Sequence, residues 1–397
     1  MSDAPNGHRL ALVCNRFGDG VAGGAELVLA ELGRGLHARG WQVDVVTSCA
    51  RDLYTWRNEF PEGESEENGL RVLRHRTIYE ESTRAERFRL GRLILSGVPI
   101  GVNDQCRWLN AGVRVPGMHR FLADHGDEYR AIICAPYGFW TTLVCGEIAP
   151  ERTILLPCLH DEPEAYLEIY QALFAGSRGL WFQTQPEMDL ANRIFQLPRR
   201  TTIIGSGIDV PGGYDEDGFR ARHDLTGDFV LFAGRREWGK SWPDLLRLME
   251  FANSLLPTPV PLVTCGVGDL GDVPSNTRVI DVGYLSDDDR SNAMAAATLY
   301  VQPSAMESFS RTIMEAWLAG TAVVANAASG VVSWHCERSG AGLVYGDRYE
   351  FAECLRLLLA DGPLRDRMAR RGREYVLANY QWNEVLDRVE ASIEDWM

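Results

Sequence analysis

The chain has 397 residues, of which 45% are hydrophobic, so it is long enough to form two domains that each bury a core. Its 55 acidic residues outnumber its 40 basic residues and give a formal net charge of −15, which argues against nonspecific binding to nucleic acid. No signal-peptide pattern opens the chain, and no apolar stretch reaches the roughly 20 residues of a membrane-spanning helix. We therefore expect a cytoplasmic protein.

The cysteines indicate a reducing environment. The chain has nine of them, an odd number without a Cys-x-x-Cys pair. Cys14, Cys134 and Cys265 fall within apolar runs typical of buried strands. This distribution predicts reduced thiols in the core rather than a disulfide framework.

The chain begins with a β-α-β pattern. An apolar strand at residues 10–14 is followed by a glycine-containing loop, a helix at residues 25–39 and a second strand at residues 43–47. The glycines of the loop do not have the G-x-G-x-x-G spacing of a dinucleotide-binding motif. Gly23 and Gly24 either let the backbone approach a ligand or simply close a tight crossover.

The next segments have a less regular pattern. Residues 51–68 are polar and predict a long surface loop. Residues 74–92 are rich in arginine with interspersed acids, and they suit a solvated helix face or a basic patch for anionic lipid or a phosphorylated acceptor. Residues 108–122 predict a helix. The aromatic run at residues 137–140 suits core packing or a platform on which a sugar stacks.

His160 follows a predicted strand at residues 153–156. A histidine at a strand end is usually a polar loop residue, and the sequence around it gives no further role. Asp161 and Glu162 suit the first turn of a helix that continues after Pro163. Beyond this region, Pro211, two glycines and the acids at residues 215–217 predict a hinge linker and a domain boundary.

The second half repeats the β-α-β pattern and carries two bases on its first loop. Arg235 and Lys240 lie between a predicted strand at residues 229–233 and a helix with Pro243 in its first turn. These bases suit a diphosphate, because a guanidinium binds oxygen atoms as a planar fork and an ammonium adds a point charge. The alternative is a pair of solvated loop charges.

Two further features follow in the second half. Gly283 and Tyr284 come directly after a predicted strand at residues 279–282. The acids at residues 287–289 follow Ser286 and precede an alanine-rich helix, where they complement the helix dipole. We interpret them as a helix start and expect no metal site.

The most informative stretch is residues 302–320, which joins a short strand to an apolar-faced helix ended by Gly320. Two helical residues at the spacing of Glu307 and Glu315 would point about 80° apart. We therefore expect Glu307 on the turn and Glu315 within the helix, both reaching the carboxyl edge of the sheet, where open α/β sheets bind ligands. By spacing alone, a capped surface helix with two solvated glutamates is the alternative.

Together, Glu307, Phe309, Glu315 and Gly320 resemble the E-x7-E signature of retaining GT-B glycosyltransferases of family 4. The resemblance runs over most of the chain. It implies an α/β protein with two Rossmann-like doubly wound domains facing across a cleft. The implied division is residues 1–210 on the acceptor side, residues 211–380 on the donor side and a C-terminal helix at residues 381–397 that packs back on the first domain.

Two positions depart from the family pattern. The family usually has glycine where this chain has Ser310 and Ser241. A side chain at position 310 would crowd the donor diphosphate or cap the helix.

The resemblance also implies an activity. It indicates metal-independent, retaining transfer of a sugar from a nucleotide-sugar donor to a hydroxyl acceptor, which would be a glycan, a lipid-linked intermediate or a natural product. No cofactor is implied. In this picture Glu307 binds hydroxyls of the donor sugar, Arg235 and Lys240 stabilise the departing diphosphate, and His160 closes the site near the anomeric carbon. The implied donor-binding residues are Glu315 on the ribose together with Gly23, Gly24, Phe309, Ser310, Gly283 and Tyr284.

Several alternatives stay open at this point. A peripheral contact with the inner face of a membrane is compatible with the basic segment, whereas a nucleic-acid partner is not expected. A noncatalytic nucleotide-sugar-binding GT-B protein and a GT-B-like nucleotide-sugar epimerase are the two rival functions. Turnover that depends on an acceptor separates all three.

Overall fold

A computed structural model of the protein describes residues 8–21 and 23–397. The chain forms two compact units. Unit 1 runs to Gly207 and includes Trp382–Met397, whereas unit 2 is Ile208–Gln381. The sequence-based division places the boundary at residue 210.

Unit 1 is built on an eight-stranded sheet. Its strands are β1 (Arg9–Val13), β2 (Gln42–Ser48), β3 (Gly63–Glu67), β4 (Leu70–His75), β5 (Ala131–Cys134), β6 (Thr153–Leu155), β7 (Gly179–Phe182) and β8 (Thr201–Ile203). Their order is β3-β4-β2-β1-β5-β6-β7-β8, and every neighbouring pair is parallel except β3 with β4. The sheet buries apolar side chains on both faces, as expected for parallel strands covered by helices.

Among the residues that the structure describes, seven α-helices surround this sheet before the chain leaves unit 1. They are α1 (Gly24–Ala38), α2 (Arg84–Leu95), α3 (Val102–Asn110), α4 (Pro116–His125), α5 (Trp140–Gly146), α6 (Gln171–Gly176) and α7 (Gln185–Ile194).

Unit 2 is built on a six-stranded sheet in which all neighbouring strands are parallel. Its strands are β9 (Val230–Ala233), β10 (Leu262–Cys265), β11 (Val279–Asp281), β12 (Leu299–Gln302), β13 (Ala322–Asn326) and β14 (Gly342–Tyr345). Their order is β11-β10-β9-β12-β13-β14, so the direction of strand addition reverses between β9 and β12. This is the order of a doubly wound nucleotide-binding fold, which binds ligands at the carboxyl ends of the strands at this switch point.

The helices of unit 2 follow the same alternation. They are α8 (Glu216–Arg222), α9 (Trp242–Leu255), α10 (Asp287–Ala296), α11 (Arg311–Leu318), α12 (Gly330–Ser339), α13 (Arg348–Ala360) and α14 (Gly362–Asn379).

The last helix, α15 (Trp382–Trp396), packs on unit 1. Leu386 lies against Gly35 of α1, where an added Cβ would come within 2.7 Å of the leucine Cδ1. At the end of α1, Arg39 pairs with Glu390 at 2.6 Å. The return of the C-terminal helix to the first domain is therefore confirmed, as is the α/β class with two parallel-sheet domains.

The long surface loop predicted at residues 51–68 is wrong in its second half. Strand β3 pairs there with β4 in antiparallel register, and the two strands are joined at Asn68 (φ 53°) and Gly69 (φ 80°). Asn-Gly is the preferred pair for a two-residue hairpin turn, because both positions need positive φ. The signal for this hairpin was therefore present in the sequence.

The single helix predicted at residues 108–122 is also wrong. The structure has two helices, because α3 ends at Asn110 and α4 begins at Pro116. Val115, before the proline, leaves the helical region (φ −134°, ψ 72°) as a residue in that position prefers to do.

Two charged segments also differ from the prediction. Asp215, placed in the linker from sequence, caps α8 by accepting a hydrogen bond from the amide of Gly218 at 3.0 Å. Arg74, placed on a solvated face, lies on β4 with its side chain 3% exposed and paired with Glu67. All nine cysteines are free thiols and seven of them are buried, as predicted.

Candidate donor site

The candidate donor site of unit 2 lies at the switch point of its sheet. The loop after β9 carries Arg235 and Lys240, and the turn after β12 carries Glu307 and Ser310. Strands β9 and β12 are paired neighbours, so their carboxyl ends bring these two segments together. The sequence placed each group on the correct element, with Glu307 on the turn and Glu315 within α11.

Lys240 and Glu307 form an ion pair across the switch point. The Nζ of Lys240 donates to the Oε1 of Glu307 at 2.7 Å. The Glu307 side chain is 10% exposed and that of Lys240 33% exposed, so the carboxylate is largely enclosed while the ammonium reaches the surface. A mostly buried carboxylate needs such a partner, because an unpaired buried charge is costly.

The two arginines of the same loop have different partners. Arg235 pairs with Glu237 at 3.1 Å, and its side chain is 39% exposed. Arg236 is only 5% exposed and pairs with Asp281 at 3.0 Å. Arg235 is therefore the guanidinium of this loop that a ligand can reach, whereas Arg236 holds the loop to the end of β11.

Arg290 is a residue that sequence reasoning missed. It binds Glu315 through two hydrogen bonds, from Nε at 3.0 Å and from Nη2 at 3.2 Å, while its Nη1 donates to Asp287 at 2.8 Å. Burial disfavours the charge of Arg290, but the two carboxylates outweigh it and raise the pKa above its usual value. Arg290 lies in the first turn of α10, after the three aspartates, where nothing in the sequence links it to α11.

The arrangement around Arg290 fixes Glu315. A bidentate guanidinium orients a carboxylate more strictly than a single bond does. The Glu315 side chain is 15% exposed, and a carboxylate has lone pairs left over after two hydrogen bonds. It is therefore a positioned acceptor for hydroxyl groups.

Ser310 adopts a left-handed backbone conformation at the start of α11, with φ 65° and ψ 70°. An L-residue is disfavoured there and glycine is not. The Ser310 side chain makes no hydrogen bond to the helix N-terminus, so of the two alternatives for this side chain, capping of the helix is wrong. Its Oγ instead accepts a hydrogen bond from Nε2 of the buried Gln302 at 2.8 Å.

Ser241 repeats this feature at the start of α9. It has φ 54° and ψ 30° and makes no side-chain cap hydrogen bond. The two positions at which the sequence departs from the expected glycine are thus two positions with positive φ. At both positions the serine adopts the backbone conformation that glycine would favour, and helices α9 and α11 begin directly after them.

Phe309 anchors the turn rather than lining a surface. Its side chain is 2% exposed and its ring lies 5.4 Å from that of His335 and 5.0 Å from that of Tyr380. His335 is fully buried and its Nδ1 lies 2.9 Å from the hydroxyl of Tyr375. Burial lowers the pKa of His335 to about 3, so the ring is neutral at physiological pH. Any donor contact by Phe309 would therefore come from its backbone.

The loop after β11 is shaped by backbone contacts. Gly283 has φ 78°, accepts a hydrogen bond from the amide of Gly266 at 2.8 Å and donates to Asp281 at 2.9 Å. A Cβ on Gly266 would lie 2.1 Å from the carbonyl oxygen of Gly234, so only glycine fits there. Tyr284 is 74% exposed next to this loop.

In unit 1, the glycine loop after β1 surrounds a buried ion pair. Arg16 and Glu26 pair at 2.6 Å with side chains 3% and 10% exposed. A Cβ on Gly23 would lie 2.1 Å from the carboxylate of Glu26, so glycine is required for this packing, whereas Gly24 faces open space. The structure thus gives Gly23 a packing role of its own.

His160 lies on a loop that is tied to α7. It is half-buried after β6, and the amide of the preceding Leu159 donates to Glu187 at 2.7 Å. Glu187 also accepts from the amide of Gln183 at 2.6 Å, and burial raises its pKa to about 8. The catalytic role expected for His160 stays a prediction, but its loop has a defined anchor that sequence reasoning missed.

The described residues contain neither a metal-binding cluster nor a membrane-spanning helix. No group of three or more histidine, cysteine, aspartate or glutamate side chains in the part of the chain that the structure describes is arranged to hold a metal ion. No helix among residues 8–21 and 23–397 is long and apolar enough to cross a membrane.

Solved structures place this architecture in the GT-B class. Sucrose-phosphate synthase from Thermosynechococcus elongatus superposes with a TM-score of 0.72 at 19% identity, over 98% of both chains. HepE from Anabaena, solved with UDP-glucose, superposes with a TM-score of 0.72 at 17% identity, over 98% of this chain and 99% of the HepE chain. The protein therefore has the GT-B fold.

Sequence comparison finds a family model and relatives that match part of the chain. Residues 215–375, which lie within unit 2, match the model of glycosyl transferases group 1. D-inositol 3-phosphate glycosyltransferase 1 from Catenulispora acidiphila is 31% identical over 58% of this chain. The lipopolysaccharide core biosynthesis glycosyltransferase LpsE of Rhizobium meliloti is 31% identical over 25% of this chain and 30% of its own length. The chain matches about 60% of the length of the Catenulispora relative.

Proposed function

We propose that this protein is a retaining glycosyltransferase that moves a sugar from a nucleotide-sugar donor to a hydroxyl acceptor without a metal ion. The observation that carries the proposal is the Lys240–Glu307 ion pair at the switch point, within the segment that matches the family. Structures of the same fold with UDP and with UDP-glucose make these the first donor ligands to test.

The donor diphosphate would change the partner of Lys240. The ammonium is the more exposed member of its ion pair, and a diphosphate offers more negative charge than one carboxylate. Binding would draw Lys240 and Arg235 toward the phosphate oxygens, where charge grows as the glycosidic bond breaks. Glu307 would then be left to accept hydrogen bonds from hydroxyls of the donor sugar.

Glu315 would bind the nucleoside. Arg290 holds its carboxylate in a fixed orientation, and the remaining lone pairs suit the two ribose hydroxyls. The backbone around Gly283 would contact the base. Two cations on one loop supply charge that a metal ion would otherwise supply to the diphosphate, which supports the metal-independent form of the proposal.

The roles that the family resemblance implies for His160, Gly23 and Gly24 of unit 1 stay predictions. No residue of the proposal is a covalent nucleophile. In a front-face displacement the acceptor oxygen would bond to the anomeric carbon on the face from which the diphosphate leaves, and the leaving diphosphate would take the acceptor proton.

The test is calorimetric binding of UDP, GDP, ADP and dTDP, with and without EDTA, to the wild-type protein and to Glu315→Ala. We expect one preferred nucleotide, unaffected by EDTA, whose affinity falls at least about tenfold in the variant, as for a lost charge-assisted hydrogen bond. Absence of binding to the folded protein would refute the donor site. Nucleotide binding together with turnover of the nucleotide sugar in the absence of an acceptor would favour the epimerase. Nucleotide binding without any turnover would favour the noncatalytic alternative.

We also propose a peripheral contact between α2 and an anionic bilayer. Arg84, Phe88, Arg92 and Leu95 project within about 80° of one another on this helix. All four are exposed, Phe88 by 68% and Leu95 by 63%. Bases beside protruding apolar side chains on one helix face are typical of helices that lie at a lipid surface.

Sedimentation with vesicles tests this contact. We expect binding to phosphatidylglycerol but not to phosphatidylcholine vesicles, and its loss in Phe88→Ser/Leu95→Ser. The matched control is Leu357→Ser, an exposed leucine of unit 2. Equal binding to both lipids, or binding that the double variant retains, would contradict the proposal.

A further inference from the structure

Unit 1 contains a pocket whose walls are mainly aromatic. Its volume is about 360 Å³, and it is formed by the segments that follow β2, β4 and β5 together with α2 and the end of α3. The side chains that define this aromatic pocket are Tyr54, Trp56, Tyr79, Phe139, Trp140 and Arg87. The volume is at the lower end of the roughly 300–1,000 Å³ of small-molecule sites, which suits a single ring rather than an extended chain.

The walls of the aromatic pocket are held in place by contacts within unit 1. The rings of Trp56 and Phe139 lie 6.0 Å apart, and Nε1 of Trp140 donates to Oδ1 of Asn110 at 3.0 Å. The segment that carries Tyr79 is fixed by two backbone hydrogen bonds between its neighbour Ile78 and Arg114, at 2.8 and 3.0 Å. The pocket is therefore preformed rather than a gap between loose loops.

Arg87 gives the aromatic pocket a positive charge without a counterion. Its Nη1 donates to the carbonyl oxygen of Trp108 at 2.9 Å, and its guanidinium lies 4.9 Å from the Trp108 ring centroid. Among the residues that the structure describes, no carboxylate lies within ion-pair distance of Arg87. Burial lowers the pKa of Arg87 below its usual value. The guanidinium nevertheless stays charged at physiological pH, and its carbonyl and ring contacts with Trp108 do not neutralise that charge, so it can take an anionic ligand.

We infer that the aromatic pocket binds the acceptor, and that this acceptor is a small cyclic polyol carrying an oxyanion, either a phosphate or a carboxylate. The inference rests on the proposed glycosyltransferase function. The C–H faces of a polyol ring pack on aromatic rings, while the oxyanion takes the planar donors of Arg87. Each feature of the pocket selects one property of this ligand. The volume selects a single ring, the aromatic walls select the C–H faces of a polyol, and the cation without a counterion selects an oxyanion.

The experiment measures binding of four probes to the full chain by calorimetry. The probes are glucose 6-phosphate, glucuronate, glucose and inorganic phosphate. We expect glucose 6-phosphate or glucuronate to bind at least about tenfold more tightly than glucose and than inorganic phosphate, and the stronger of the two identifies the oxyanion. Arg87→Met should lower the affinity for that probe to the affinity for glucose, and it should leave the affinity for glucose unchanged. Trp56→Leu should weaken the charged probe and glucose alike.

Controls separate this inference from loss of folding and from the donor site. Arg107→Met removes a basic residue of α3 whose side chain is 64% exposed. This control should leave the affinities for all four probes unchanged. UDP binding is measured in the same samples. If UDP binds while both anionic probes bind no more tightly than glucose, the acceptor inference is wrong and the donor site stands. If Arg87→Met binds the anionic probe as the wild type does, the role of Arg87 is wrong.

Discussion

Lys240 and Glu307 come from loops at the ends of adjacent strands and meet at 2.7 Å. If this ion pair exchanges for a phosphate contact when the donor binds, its two members should respond differently to substitution. Glu307→Gln removes the competitor for Lys240, so we expect UDP affinity to stay the same or rise while kcat falls by at least about 100-fold. Lys240→Met should weaken UDP binding by about tenfold.

Calorimetry with UDP and initial rates of nucleotide release check this pair of variants. Arg247→Met is the matched control, because Arg247 forms an exposed ion pair with Asp244 on the neighbouring helix. Equal weakening of UDP binding by both substitutions would show instead that the ion pair only holds the loops together.

Arg290 should act on nucleotide binding through Glu315. Both Glu315→Ala and Arg290→Met should weaken nucleotide binding by about tenfold, the second because the carboxylate loses its orientation. The double variant should be no weaker than Glu315→Ala alone, which is the signature of two residues that act as one unit. Arg290→Lys should restore only part of the affinity, since an ammonium cannot form the two parallel bonds.

Calorimetry on the four proteins gives the coupling free energy directly. Asp287→Asn is the control, because it removes the third partner of Arg290 at a side chain that is 89% exposed. If the losses of nucleotide-binding free energy from Arg290→Met and Glu315→Ala add up in the double variant, Arg290 does not act through Glu315.

Ser241→Gly should stabilise unit 2. An L-residue in the left-handed conformation destabilises the folded state by about 1–2 kcal/mol, and glycine removes this strain. Glycine also loses more conformational entropy on folding, which offsets roughly 0.5–1 kcal/mol of the gain. We expect a gain of about 0.5–1 kcal/mol in the free energy of unfolding. Ser310→Gly should be close to neutral, because it also removes the hydrogen bond from Gln302, worth about 1 kcal/mol.

Denaturant unfolding of both variants, with Ser241→Ala as a third, checks this prediction. Ser241→Ala keeps the Cβ and removes the hydroxyl, so it should not share the gain. A gain for the alanine variant as large as that for glycine would mean that positive φ is not the source of the strain.

His335 should make unit 2 less stable in acid. Its pKa is lowered to about 3 in the fold, whereas an unfolded histidine has a pKa of about 6.5. Between these values the unfolded chain binds a proton that the folded chain does not, so stability falls as the pH decreases from about 6.5 toward 3. His335→Gln should remove this contribution, and the free energy of unfolding of the variant should depend less on pH.

The measurement is urea unfolding at pH 7 and pH 5, in the wild type and in the variant. His125, exposed on α4, provides the control substitution His125→Gln. A pH dependence that His335→Gln leaves unchanged, or that His125→Gln removes equally, would refute the assignment to His335.

The amino-acid sequence determined what depends on neighbouring residues. Apolar runs and helix punctuation predicted β1, α1 and β2 in unit 1 and β9 and α9 in unit 2, because those signals lie within one element. The same local pattern placed Glu307 on a turn and Glu315 in a helix. The hairpin at Asn68 and Gly69 was equally local and was overlooked.

The tertiary structure decided the pairings. Arg290 and Glu315 lie on different helices, as do Asn110 and Trp140, and their distances follow from how the elements pack rather than from their spacing in the chain. The backbone angle of Ser310 is likewise set by its surroundings, since serine by itself avoids positive φ. Local propensity acts over a few residues, whereas charge pairing, burial and strain depend on contacts between distant ones, and only the folded chain brings those together.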